Sequence, residues 1–178
     1  KKENKIVALL VPVIDHPFFS KIAYYIEDEL DKNGYSLLVS SSQSRQSKEY
    51  AMIEKLKKKD VDGIIFITHY DYKDEDLSSL PVVSMDRHFD NVPFVTSDNF
   101  DSSVKACEWL LAQGCRKVAY IGGKTLVGSE VMERERAYRA VMEKNGLPVV
   151  VKSEVIKHGE EQPLVESLFE EYGVEYIQ

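Results

Sequence analysis

The chain has 178 residues, 43% apolar, 30% charged and 10% aromatic, an ordinary globular profile with enough material for one or two compact units. Its net charge of −7, with no block of five or six like charges, excludes the basic footprint by which a domain grips nucleic acid directly. No secretory signal or membrane span is read, because the apolar stretch IVALLVPVI is broken at Pro12.

Ile6–Val11 is a continuous apolar run and predicts a strand. Phe18, Phe19, Ile22, Ala23, Ile26 and Leu30 then fall on one helical face. Pro17 suits the first helical position, where no amide donor is needed, and Asn33 followed by Gly34 stops the helix. A second strand is predicted over 35–39. It leads through the polar SSSQSRQS loop into a helix carrying Tyr50, Ile53 and Leu56, and a third strand follows at Gly63–Ile67. The strands start about 30 residues apart and are largely apolar, as in βαβ units whose parallel sheet is covered on both faces. Short strands are predicted at 81–85 and 93–97, with no long helix between them.

The rhythm restarts at Asp98, with Asp101 in the first turn of a helix and Gly114 past its end. A strand at 117–122, a helix over 131–144 closed by Asn145 and Gly146, and a strand at 153–158 come next. A helix bearing Leu164, Val165, Leu168, Phe169 and Tyr172 precedes the opening of one more strand at 175–178. The fold class is α/β: two Rossmann-like lobes with parallel sheets, residues 1–97 and 98–178, the second lobe incomplete.

In open parallel sheets ligands sit beyond the carboxyl ends of the strands, and this placement selects the candidate residues. His16, Phe18 and Phe19 follow the first strand, where the rings either stack on the flat face of a sugar or base or continue the core face of their own helix. Asp86 and Arg87 follow the fourth strand, where a carboxylate and a guanidinium can together bond vicinal hydroxyls, or form a surface ion pair or turn. Ser97, Asp98 and Asn99 lie at the lobe junction, where Asp98 or Ser97 is also a good helix cap. Among Arg134, Arg136 and Arg139, Arg134 is nearest the helix start.

Enzyme signatures fail. IGGKT, residues 121–125, resembles the tail of a phosphate-binding loop, but the first glycine of that motif would fall at Val118. No G-x-G-x-x-G follows the first strand, no G-x-S-x-G elbow occurs, and His16, His69, His88 and His158 have no metal-ligand spacing. No cofactor, metal or catalytic residue is expected. Cys107 and Cys115 form neither a zinc spacing nor a disulfide framework and read as reduced thiols of a cytosolic protein.

The motifs in series, from KIVALLVPVIDHPFFSKIAYYIEDELDKNGYSLLV through VDGIIF, PVVSMDRH, VTSDNF and RKVAYIGG to RERAYRA, resemble the effector-binding domain of LacI/GalR-family transcriptional regulators, relatives of periplasmic sugar-binding proteins. The resemblance covers nearly the whole chain. It implies a cytoplasmic repressor whose effector, a sugar or a purine, binds between two lobes, with no catalysis and no membrane. It carries effector contacts onto His16, Phe18, Phe19, Asp86, Arg87, Asp98 and Arg134. It also implies a homodimer, operator DNA bound through a helix-turn-helix preceding this chain, and further pocket residues after Gln178. His16 stands where the family has asparagine, which alters hydrogen bonding at the pocket rim, and Ala137 with Tyr138 replaces Gly-Phe. Two alternatives are an exported sugar-binding protein, which a leader peptide would favour, and a nucleotide or phosphate enzyme using the GGKT loop, which would require turnover.

Overall fold

A computed structural model describes residues 4–58, 61–72, 77, 81–123, 128–154 and 161–172. The chain divides into two compact units, one of Lys1–Ser97 with Leu126–Glu130 and one of Asp98–Thr125 with Val131–Gln178.

In the first unit β1 (Ile6–Val11), β2 (Ser36–Ser41), β3 (Gly63–Ile67), β4 (Val82–Met85) and β5 (Phe94–Val95) form one parallel sheet in the order β2-β1-β3-β4-β5. Helices α1 (Pro17–Lys32) and α2 (Gln46–Lys58) make the connections on either side of β2. Because successive strand residues face opposite ways, Ala8 and Leu10 of β1 join Ile53 and Leu56 of α2 in one core. Leu9 and Val11 join Phe19, Ile22, Ala23 and Ile26 of α1 in the other. Coverage on both faces is why β1 reads as an unbroken apolar run.

β2 departs from its predicted span. Ser40 and Ser41 pair with Leu10 and Val11, so the strand runs two residues past the apolar stretch. It lies at the sheet edge, where one flank meets solvent and polar residues are tolerated. Asn33 caps the end of α1 and Gly34 follows at φ +74°, a backbone angle that favours glycine.

The second unit holds α3 (Asn99–Ala112), β6 (Ala119–Gly123), α4 (Glu133–Lys144), β7 (Val150–Glu154) and α5 (Glu161–Tyr172), with β6 and β7 parallel. A 3-10 turn at Glu130–Met132 leads into α4, which is why the helix begins later than its apolar pattern suggests. Cys107, Tyr138, Val141 and Met142 form the core. The strand expected over 153–158 is corrected: β7 begins at Val150, where Val149 and Val151 pack on that core, and 155–158 lie outside the described residues. The strand expected at 175–178 also lies outside them.

The Tyr138 hydroxyl bridges the entries of β6 and β7. It donates to the Val118 carbonyl at 2.8 Å and accepts from the Val150 amide at 2.8 Å, tying the entries of β6 and β7 to α4.

Candidate functional site

The carboxyl ends of β1 and β4 open on the same side of the first sheet with only β3 between them, two strand spacings or about 10 Å. At the β1 end, His16 caps α1: its Nδ1 accepts the Phe18 amide at 3.2 Å, and Pro17 occupies the first turn. The His16 and Phe19 rings lie 5.3 Å apart, and Phe18 meets Phe19 edge to face at 5.3 Å. The two phenylalanines divide the roles left open by their sequence. Phe19 packs on the core beneath α1, while Phe18 is 47% exposed and presents its ring to solvent. Phe18 therefore leaves the helical core face on which the periodicity places it.

At the β4 end, Asp86 adopts a left-handed backbone with φ +57°. Its amide donates to the Val95 carbonyl at 2.9 Å, and its carboxylate Oδ1 accepts from Thr96 Oγ1 at 2.8 Å. Its own carbonyl accepts from Ser129 Oγ at 2.9 Å and from the Glu130 amide at 3.1 Å.

Arg87 turns away from this carboxylate and is only 4% exposed. Its guanidinium lies 5.5 Å from the Phe89 ring centroid and reaches exposed Asp71 at 3.4 Å. Its Nε and one terminal nitrogen have no hydrogen-bond partner among the described residues. Burial lowers its pKa from the ordinary range, and Asp71 offsets part of that. The ion pair of the alternative reading is present, to exposed Asp71 rather than to Asp86, but a cation buried at its own end is costly unless its remaining donors are met.

A second polar cluster adjoins β3. Glu49 is buried, its Oε1 accepting from the Thr68 hydroxyl and from the Tyr72 hydroxyl at 2.9 Å, while Oε2 has no partner among the described residues. His69 is exposed, yet partial desolvation of its ring is the largest influence and lowers its pKa; Glu49 opposes that shift and Arg87 adds to it. Nothing in the sequence marks Glu49 as interior, since it reads as one more polar residue on an amphipathic helix.

In the second unit Asp98 is exposed and caps α3, its Oδ1 accepting the Asp101 amide at 3.2 Å. Asn99, in the first turn, is buried and accepts from Arg134 Nε at 2.7 Å through its Oδ1. The SDN segment and the arginine thus meet through Asn99, a contact that their separation of 35 positions conceals in the sequence. Arg136 stacks over Phe100 with its guanidinium 5.1 Å from the ring centroid, and Arg139 pairs with Glu135 at 2.8 Å on the exposed surface. Among the described residues no cluster of three or more His, Cys, Asp or Glu is placed to hold a metal, and no helix is long and apolar enough to cross a membrane.

Residues 4–171 match the family described as periplasmic binding proteins and the sugar binding domain of the LacI family. The chain belongs to this family. The LacI-family resemblance read from the motif series therefore holds. Among curated relatives, the ribose operon repressor of Halalkalibacterium halodurans is 32% identical over 171 residues, covering 95% of this chain and 51% of that protein. The sucrose operon repressor of Streptococcus mutans is 34% identical over 142 residues, 79% of this chain and 44% of that protein. The chain thus spans about half the length of the curated relatives it matches. The Cra transcriptional dual regulator of Pseudomonas putida, solved in complex with fructose 1-phosphate, is 22% identical with a TM-score of 0.84, over 95% of this chain and 65% of that one. That likeness bears out the two-lobed α/β fold class of periplasmic binding proteins.

Proposed function

We propose that this LacI-family chain is the effector-sensing part of a cytoplasmic, non-enzymatic repressor of a sugar operon, and that its effector is a sugar. The observation that carries the reading is the strand-end set of the first unit. An exposed Phe18 ring and the Asp86 carboxylate open on the same side of one sheet, and buried Arg87 follows Asp86 in the chain. An aromatic face packs against the C–H face of a pyranose or furanose, and a carboxylate accepts from its hydroxyls. The ribose and sucrose operon repressors named above point to the same ligand class. In the second unit Arg134, oriented by Asn99, and Asp98 are the effector contacts in this reading.

The effector shifts the repressor only by its differential affinity for two arrangements of the protein. Operator DNA is bound by another segment of the full polypeptide, since this chain carries net negative charge, and a symmetric homodimer presents two such segments to a two-fold operator. A purine is the second reading, favoured by Phe18 alone, whose ring would stack on a base as readily as on a sugar.

A thermal-shift screen of D-ribose, D-fructose, sucrose, hypoxanthine and guanine on the full-length protein tests the reading, because a ligand that binds only the native state raises Tm. A sugar that raises Tm and changes operator affinity supports it. A shift with purines alone moves the effector to the second reading, and ligand turnover would overturn the non-enzymatic one.

A further inference from the structure

Asp86 is held by more than a strand end requires. Left-handed φ is costly for any residue with a Cβ, though aspartate tolerates it better than most. Here both its backbone and its side chain are fastened. The amide is anchored on Val95, Oδ1 is taken by Thr96 Oγ1 at 2.8 Å, and the carbonyl receives Ser129 Oγ at 2.9 Å together with the Glu130 amide at 3.1 Å. Ser129 and Glu130 come 43 and 44 positions later in the chain, beyond α3 and β6, yet belong to the same compact unit as Asp86. With Oδ1 accepting from Thr96, Oδ2 is left without a hydrogen-bond partner among the described residues.

We infer that Thr96 and Ser129 are positioning residues for effector recognition, acting through Asp86: Ser129 locks its left-handed backbone and Thr96 its carboxylate rotamer, so that Oδ2 meets a sugar hydroxyl without reorganisation. The inference rests on the sugar-binding reading above. An acceptor held in its bound geometry loses little freedom on binding, so freeing it weakens affinity although no direct contact is removed. Because both residues act on one group, their effects are non-additive with changes to that group.

The experiment is calorimetry of the full-length protein with D-ribose and sucrose on wild type, Thr96→Val, Ser129→Ala, Asp86→Asn and the Asp86→Asn/Ser129→Ala pair, beside a crystal structure of the Thr96→Val/Ser129→Ala variant. Each single positioning variant is expected to weaken sugar binding about 2- to 10-fold, the range of one hydrogen bond. Ser129→Ala is expected to add little in the Asp86→Asn background, and residue 86 to leave its left-handed angle or turn its carboxylate in the double-variant structure. A Ser129→Ala loss that is undiminished in the Asp86→Asn background would overturn the inference, as would unchanged affinity with an unchanged residue 86. If wild type binds neither sugar, nor D-fructose titrated in the same way, while residue 86 is displaced in the variant, the positioning role in sugar recognition falls together with the sugar reading and only the structural clamp on Asp86 is left.

Discussion

Arg87 carries a charge into the interior of the first unit with two of its nitrogens unpartnered among the described residues, and the energetics of that burial set its behaviour under substitution. Replacing a poorly paired buried ion by an apolar side chain of similar volume is commonly neutral or stabilising by about 1 to 4 kcal/mol. Arg87→Met is therefore expected to leave urea stability unchanged or raise it by about 1 kcal/mol, and under the proposed function to abolish the effector response of the full-length protein. A loss above about 2 kcal/mol would mean that the guanidinium holds the fold together. Glu49 is the opposite case, since it accepts from Thr68 and Tyr72 in a buried setting. Glu49→Ala removes the acceptor of both and should cost about 2 to 4 kcal/mol in chemical denaturation, with Glu49→Gln, which keeps a carbonyl, costing less. His69 adds a pH dependence. Its folded pKa lies below the ordinary 6.5, so the unfolded chain takes up the proton first and stability falls as pH drops from about 6.5 toward the folded value. His69→Gln should lose less Tm than wild type between about pH 7 and 5.5, and an identical loss would show that another group carries the effect.

At the scale of elements, the ends of α1 and the entry of β7 depend on single groups. Gly34 holds φ +74°, and a Cβ there would come no closer than 3.6 Å to Lys5 Nζ, so the cost of Gly34→Ala is torsional rather than steric. It should be about 1 to 2 kcal/mol, read from the urea midpoint, and Gly34→Asn should recover part of it. Tyr138→Phe keeps the ring in the core but deletes the hydroxyl that bridges Val118 and Val150. A loss of about 1 to 3 kcal/mol is expected, with faster amide exchange at Val150. Unchanged exchange there would show that strand pairing alone sets the register. Strand period, the proline at the start of α1 and the glycine after it made most of these elements legible. The first residue of β7 was not, because VVVKSEVI is apolar at both ends and the contacts at Val150, among them the bond to Tyr138, are made across the fold.

At the scale of the whole chain, the two units differ in how much sheet supports them. The first has five parallel strands with helices covering both faces of β1, whereas the described residues of the second contain two. Stability is local, and regions with fewer buried contacts open more readily. Hydrogen exchange on this 178-residue chain should therefore find slower exchange in β1, β3 and β4 than in β6 and β7. Equal or slower exchange in the second unit would sink that expectation.

The alternation of apolar strands with helical segments, the Pro17 start, the Gly34 stop and the order of short motifs were enough to read an α/β chain of the LacI family, because each depends on neighbours within a few residues. Strand-mouth candidates followed from topology. What those side chains meet did not, since it depends on contacts across tens of positions: Arg134 on Asn99, Ser129 on Asp86, Tyr72 on Glu49. Adjacent residues were separated in the same way. Phe18 went to solvent and Phe19 to the core, Asp86 to Thr96 and Arg87 beneath Phe89 and Asp71, because packing and hydrogen-bond supply decide a side chain's direction, and both are set by the folded surroundings.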